Sequence, residues 1–161
     1  MELLESNCIN RKVCVLRSGD TTGVYYDIKN LISYPTKLVG VCDKMYSLLN
    51  KLYPECDLLC GVPYGGLPFC SYLSTSFDIP MIMVRPTVKS YGLQKKIEGT
   101  YSKKSKCVII EDVITSGGSI NEVYNSIKDD VEVIGALTVL DRQENHKCQI
   151  NVDSVFYKND I

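Results

Sequence analysis

The sequence has a single histidine, His146, and none of its eight cysteines forms a CxxC pair. A structural zinc site normally takes its ligands from closely spaced cysteines and histidines, so the sequence argues against one. Several cysteines, among them Cys42, Cys60 and Cys70, lie inside apolar segments. We therefore expect buried free thiols in a reducing, cytoplasmic compartment rather than a disulfide framework.

Strong charge imbalance and long apolar runs are absent as well. The formal net charge is −1, and the only dense group of basic residues, at 103–106, is better explained as a solvated loop. A surface that binds duplex nucleic acid normally carries a basic stripe, so we expect no nucleic-acid partner. The N-terminus lacks a basic segment followed by an apolar one, and no window approaches the length of a membrane span. We therefore expect neither a signal peptide nor a membrane partner.

Apolar segments of strand length alternate along the chain with segments in which apolar residues recur at helical spacing. This alternation predicts an α/β fold, a parallel doubly wound sheet flanked by helices, whose ligands bind beyond the carboxyl ends of the strands. No repeat, low-complexity tract or linker divides the 161 residues, so we expect one domain over residues 1–161. The predicted elements are a strand pair at 13–16 and 24–28, helices at 35–52, 66–77 and 119–127, strands at 57–62, 80–84, 107–110, 131–140 and 154–157, and a long irregular connection over 85–101.

The segment 108–119 carries the strongest chemical signal. A predicted buried strand ends there in Glu111 and Asp112, and a Thr-Ser-Gly-Gly-Ser turn leads into the next helix. Small residues at such a turn let backbone N–H groups surround a phosphate, and the helix N-terminus adds partial positive charge. Two carboxylates repel a phosphate, so vicinal ribose hydroxyls are their natural partners. The segment therefore predicts a site for a phosphorylated sugar, although it fits neither a Walker A loop nor a Rossmann fingerprint.

The order of these residues resembles the signature of the type I phosphoribosyltransferases, which bind 5-phosphoribosyl 1-diphosphate. Other segments are similar to the orotate phosphoribosyltransferases of that family. They are Gly-Val-Pro-Tyr-Gly-Gly at 61–66, the charged loop at 85–99, and Asp-Arg-Gln-Glu at 141–144. Arg17-Ser-Gly, followed by Tyr25 and Asp27, resembles the family segment that closes over the base. The resemblance thus covers residues 17–144.

This resemblance implies the type I phosphoribosyltransferase fold with a reduced N-terminal hood. It implies a pentosyltransferase of pyrimidine (UMP) synthesis that makes orotidine 5′-monophosphate and diphosphate from orotate and 5-phosphoribosyl 1-diphosphate. The implied cofactor is Mg²⁺, held through the substrate diphosphate without a firm protein ligand, and the implied assembly is a homodimer with exchanged loops. The implied site residues are Glu111, Asp112, Thr115, Ser116, Gly117, Gly118 and Ser119 for the 5-phosphate and ribose; Pro63, Tyr64, Gly65, Gly66, Arg85, Lys89 and Tyr91 for the diphosphate; Arg17 and Arg142 for orotate; and Lys89, Asp112 and Arg85 for catalysis.

Several positions depart from the family pattern. Arg17 and Pro86 stand where lysines are usual, Gly23 replaces a proline, and Gly65 lies where many bacterial members carry a lysine. Two alternatives stay open: a purine-salvage phosphoribosyltransferase, and a non-catalytic protein that senses the sugar diphosphate and regulates a partner. No decarboxylase segment follows the matched region, so we expect a separate protein to supply that step.

Overall fold

The structure is a computed structural model that describes residues 8–10, 14–15, 21–86, 96–143 and 145–160. Strands and helices alternate through most of these residues, as the sequence predicts. The elements are β1 (Ile9–Asn10), β2 (Cys14–Val15), β3 (Thr21–Thr22), β4 (Tyr25–Tyr26), a 3₁₀ helix (Ile28–Ser33), α1 (Pro35–Leu52), β5 (Leu58–Gly61), α2 (Leu67–Phe77), β6 (Met81–Val84), β7 (Ile97–Glu98), β8 (Lys106–Ile114), α3 (Gly118–Ile127), β9 (Glu132–Asp141), β10 (Val152–Tyr157) and a second 3₁₀ helix (Lys158–Asp160).

Six of these strands form one sheet in the order β10-β9-β8-β5-β6-β7. The pairs from β10 through β6 are parallel, and β7 pairs antiparallel with β6 at one edge. From β5 the chain continues to β6 on one side and then returns to β8 on the other side. The strand order therefore reverses between β5 and β8, which is where open α/β sheets bind their ligands.

Helices cover both faces of this sheet, which confirms the predicted fold class. One apolar cluster joins α1 and α2 to the sheet through buried residues such as Met45 and Phe69. A second cluster on the other face contains Ile120, Val123 and Ile127 of α3. Pro35 occupies the first turn of α1, where its missing N–H costs nothing. Among the described residues, no helix has the length and apolar character that crossing a membrane requires.

Two elements differ from the prediction because strand pairing extends beyond the local pattern. The strand predicted at 107–110 runs over Lys106–Ile114, so Glu111 and Asp112 belong to β8 rather than to the turn after it. Pairing with β9 continues as far as Ile114, opposite Asp141, and holds the two carboxylates in extended backbone. The connection predicted at 85–101 also contains β7, whose buried Ile97 pairs with Val84.

The N-terminal strands pair differently from the predicted strand pair. β2 pairs with β3, whereas β4 pairs with β1, all antiparallel. The 3₁₀ helix follows directly, and its Ile28 and Leu31 are fully buried in the cluster that contains α1. Burial of these two side chains fixes the backbone of residues 28–31 against the core.

Candidate functional site

A pocket of about 340 Å³ lies at the carboxyl ends of β5 and β8, at the reversal of strand order. Three separate parts of the chain line it: the segment around β4 and the first 3₁₀ helix, the loop after β5, and the ends of β8 and β9. Its lining combines both carboxylates of the sequence motif with two cations and three aromatic rings. The lining residues are Tyr25, Tyr26, Lys29, Pro63, Tyr64, Gly65, Glu111, Asp112, Val113, Thr115, Ser119 and Arg142.

Glu111 and Asp112 are both buried at the floor of this pocket. The Asp112 N–H donates a hydrogen bond to Glu111 Oε1 at 2.9 Å. Burial raises the pKa of Glu111 well above its ordinary value of 4.5, and the side chain of Asp112 raises it further through a hydrogen bond and its charge, although the Asp112 N–H lowers it. Glu111 therefore keeps its proton to higher pH than an exposed glutamate, because two adjacent buried carboxylates resist carrying two charges.

Lys29 is a pocket residue that the sequence analysis missed. Its Nζ donates to Asp112 Oδ2 at 3.1 Å, and the Asp112 carboxylate is only 7% exposed. Burial lowers the pKa of Lys29, but the charge and hydrogen bond of Asp112, helped by Tyr25 and Asp27, outweigh burial and leave the pKa raised. The only signal in the sequence is that Lys29 lies two residues after Asp27. Asp27 belongs to the segment that resembles the family region closing over the base.

The loop after β5 approaches Asp112 through its glycines. The peptide bond between Pro63 and Tyr64 is cis. A methyl group on Gly65 would overlap the carboxylate of Asp112, and one on Gly66 would overlap the carbonyl oxygen of Ile110. Both glycines are therefore required for the close approach of this loop to β8.

The Thr-Ser-Gly-Gly-Ser turn joins β8 to α3, and Thr115 and Ser119 line the pocket. Gly117 has φ +83°, a left-handed conformation that favours glycine, and α3 begins at the next residue, one residue earlier than predicted. The Lys147 N–H donates to the Ser116 carbonyl at 3.1 Å. The turn is thus held from outside the pocket, with a helix N-terminus at the strand end, which is the arrangement that binds a phosphate.

Arg142 directly follows β9 and lines the pocket. Its N–H donates to the Ile114 carbonyl at 3.1 Å, which fixes its backbone to the end of β8. Its guanidinium carbon lies 5.7 Å from the centre of the Tyr26 ring, a cation–π geometry. A guanidinium held in this way suits a carboxylate or another planar anion.

The predicted site residues fall into four groups. Arg85 lies at the start of the predicted loop, where its side chain contacts Glu98 and its N–H donates to the Lys96 carbonyl at 2.9 Å. Gly66, Ser116, Gly117 and Gly118 belong to the two turns beside the pocket and do not line it. Predicted residues that line it are Pro63, Tyr64, Gly65, Glu111, Asp112, Thr115, Ser119 and Arg142. Arg17, Lys89 and Tyr91 lie outside the described residues, and their roles stay predictions.

The fold and pocket can be compared with known proteins. The family model of the phosphoribosyl transferase domain matches residues 34–160. An orotate phosphoribosyltransferase of Caenorhabditis elegans is 32% identical over 154 residues, and the match covers 95% of this chain and 68% of the relative. The chain belongs to the orotate phosphoribosyltransferase family. This membership confirms the predicted resemblance and the predicted enzyme class, a phosphoribosyl-transferring pentosyltransferase.

Two further relatives show how this phosphoribosyltransferase compares in extent and fold. The uridine 5′-monophosphate synthase of Bos taurus is 34% identical over 131 residues, which are 81% of this chain and 27% of that protein. The chain therefore spans about a quarter of that longer relative. The crystal structure of orotate phosphoribosyltransferase from Aeropyrum pernix has a TM-score of 0.83 at 26% identity and covers 94% of this chain. The match covers 89% of the Aeropyrum chain, so the two share nearly the whole phosphoribosyltransferase fold.

Proposed function

We propose that the chain transfers the phosphoribosyl group of 5-phosphoribosyl 1-diphosphate to orotate, making orotidine 5′-monophosphate and diphosphate for pyrimidine synthesis. The observation that carries this proposal is the meeting of four features in one pocket. These features are the phosphate-type turn, the buried carboxylate pair, the loop with Gly65 and the guanidinium of Arg142. They match the parts of one substrate pair: a 5-phosphate, ribose hydroxyls, a diphosphate and an anionic base.

Each part of the sugar diphosphate has a proposed partner. The turn at 115–119 and the N-terminus of α3 hold the 5-phosphate, because both present N–H groups and partial positive charge. Asp112 and Glu111 are proposed to accept hydrogen bonds from the ribose hydroxyls and to donate hydrogen bonds to them. These bonds keep the ribose ring in place while its C1 becomes electron-poor. Most of the rate enhancement then comes from positioning and charge stabilisation rather than from a covalent intermediate.

The leaving diphosphate gains negative charge as its bond to C1 breaks. The loop at 63–66 is proposed to hold it through backbone groups, with the Tyr64 side chain exposed at the edge of the pocket. Lys89 and Tyr91 are proposed to approach it from the segment that follows Arg85, where cations would neutralise the developing charge. Arg85 lies at the base of that segment, paired with Glu98.

Mg²⁺ is the proposed metal, held mainly by oxygens of the substrate. Within the described residues, no group of three or more histidine, cysteine, aspartate or glutamate side chains could hold an ion. Asp112 is already bound to Lys29, and both carboxylates are the proposed partners of the ribose hydroxyls, so neither is assigned as a metal ligand. Mg²⁺ fits this pocket because it keeps several waters and can be held through substrate phosphates. When bound, the ion would neutralise charge on the diphosphate.

We also propose a cytoplasmic location, a homodimer and a single domain for this chain. A cytoplasmic location is supported by seven of the eight cysteines, which are free and mostly buried. Burial raises the pKa of thiols such as Cys8, to about 11, so they are poor nucleophiles. A homodimer with exchanged loops is proposed from the family resemblance, and a single domain over residues 1–161 from the lack of a dividing linker in the sequence.

The proposed reaction is tested by following orotate absorbance with the chain, 5-phosphoribosyl 1-diphosphate and Mg²⁺. We expect orotate to be consumed and diphosphate to be released, with adenine, guanine and hypoxanthine as unreactive controls. Turnover of a purine without orotate consumption would favour a salvage enzyme. Binding of the sugar diphosphate without turnover of any base would favour the sensing alternative.

Substitution of Arg142 by alanine tests the proposed base site. We expect the KM for orotate to rise about 10- to 100-fold, because a hydrogen bond to a charged group contributes about 1.5–3 kcal/mol. The KM for the sugar diphosphate should change little, since its proposed partners are the turn at 115–119, the carboxylate pair and the loop at 63–66. Arg142→Lys keeps the charge without the bidentate geometry. Its KM for orotate should therefore lie between that of the wild type and that of Arg142→Ala. Equal orotate KM values in all three proteins would remove Arg142 from the base site.

A further inference from the structure

Lys29 joins the N-terminal part of the chain to the carboxylate pair in β8. Its backbone belongs to the 3₁₀ helix that Ile28 and Leu31 anchor in the core. Its ammonium reaches Asp112, which lies 83 residues later in the sequence. This anchor matters because fixing a lysine on an unanchored segment would cost more backbone and side-chain conformational entropy.

The Asp112 carboxylate has two contacts. Both of its oxygens lie so close to Gly65 that a methyl group there would overlap the whole carboxylate. Its Oδ2 also accepts the hydrogen bond from Lys29. Since the two contacts come from separate segments, the orientation of this carboxylate depends on the loop after β5 and on the 3₁₀ helix together.

We propose that Lys29 is a positioning residue for phosphoribosyl transfer, which holds the Asp112 carboxylate in the orientation that receives the ribose hydroxyls. The inference rests on the proposed function of the pocket and deepens it. It makes the N-terminal segment part of the ribose site, although that segment resembles the family region that closes over the base. Lys29 acts through Asp112 and needs no contact with the substrate.

Other charged and titratable groups also face the carboxylate pair. They are Arg142 after β9, Tyr25 and Tyr26 of β4, and Tyr64 of the loop. Burial and then Asp112 raise the pKa of Glu111, and the positive charge of Lys29 partly opposes both. Removal of the Lys29 charge should therefore raise the pKa of Glu111 further.

The test compares Lys29→Met, which keeps the length of the side chain without its charge, with Lys29→Arg. For the methionine variant we expect kcat/KM for 5-phosphoribosyl 1-diphosphate to fall about tenfold, near the lower limit for a charged hydrogen bond. Lys29 is 53% exposed, and screening by solvent weakens the pair. The KM for orotate should not change, and the lower midpoint of the kcat/KM pH profile should move to higher pH. Arginine should restore both values.

Lys104→Met is the matched control, because Lys104 is exposed and does not line the pocket. It should match the wild type in rate and pH profile. The proposal is overturned if Lys29→Met behaves like this control, if only the orotate KM rises, or if activity falls with an unchanged pH profile. The last result would indicate a purely structural role.

Calorimetric titration with 5-phosphoribosyl 1-diphosphate and Mg²⁺ separates this inference from the proposed function. If the wild-type chain fails to consume orotate, the proposed function fails. Weaker binding of the sugar diphosphate by Lys29→Met would still support the role of Lys29. Equal binding by the methionine variant and the wild type would overturn it.

Discussion

Replacement of Asp112 by asparagine is expected to lower kcat/KM for 5-phosphoribosyl 1-diphosphate by about two to three orders of magnitude. The magnitude is that of removing one fixed electrostatic contact from an enclosed active site. Asparagine has nearly the same shape, so the contact with Gly65 can persist. The amide nevertheless removes the charge that pairs with Lys29 and replaces one acceptor oxygen by a donor.

Steady-state kinetics with both substrates would measure this loss, and Glu111→Gln provides the comparison. Glu111 has a raised pKa and keeps its proton to higher pH, so glutamine imitates its protonated form. We therefore expect a smaller loss in Glu111→Gln than in Asp112→Asn, with the difference greatest at low pH. The assignment of the ribose hydroxyls to Asp112 is contradicted if the asparagine variant keeps the wild-type kcat/KM.

Substitution of Gly66 by alanine is expected to destabilise the fold by about 3 kcal/mol, at the upper end of the cost of overpacking. The added methyl group would overlap the Ile110 carbonyl oxygen and lie 2.9 Å from the Val62 nitrogen. These two atoms form a backbone hydrogen bond of 2.9 Å between the end of β5 and β8. Rigid backbone on both sides leaves no side chain that could move aside, so the sheet must open where the pocket is built.

Urea unfolding monitored by circular dichroism would measure the effect on stability. Gly118→Ala is the matched control, because a methyl group there meets only Ser116 Oγ, at 3.7 Å. It should unfold at or slightly above the wild-type midpoint, since alanine favours a helix more than glycine does. If Gly66→Ala unfolds at the same urea midpoint as the wild type, the loop after β5 and β8 can separate without a loss of folding free energy.

Much of the fold could be predicted because its signals are local. The apolar spacing of Met45 and Leu49 and the position of Pro35 define α1 without reference to any other part of the chain. The turn at 115–119 was likewise predictable, because a phosphate site needs small residues between a strand and a helix. The parallel sheet then follows from the alternation of strands and helices.

The remainder depends on pairing between distant residues. Glu111 and Asp112 have the polarity of a strand end, and only the continued register with β9 keeps them within β8. The two residues of β7 are too few for a periodic signal, and pairing with β6 defines them. No pattern in the neighbouring residues identifies Lys29, because its role arises from a contact with a residue 83 positions later in the sequence.

The antiparallel pairing of β6 with β7 has a consequence for how this family can diverge. The chain leaves the sheet after Val84 and rejoins it at Ile97, directly opposite, with the Arg85 N–H bonded to the Lys96 carbonyl. Both ends of the intervening segment are therefore fixed at one edge of the sheet, whatever lies between them. Doubling the length of a connection costs only about 0.6 kcal/mol of closure entropy, so we expect length changes between Arg85 and Lys96 to leave the parallel strands undisturbed. The proposed contribution of Lys89 to the reaction rate could then change without altering the strand ends proposed to bind the sugar.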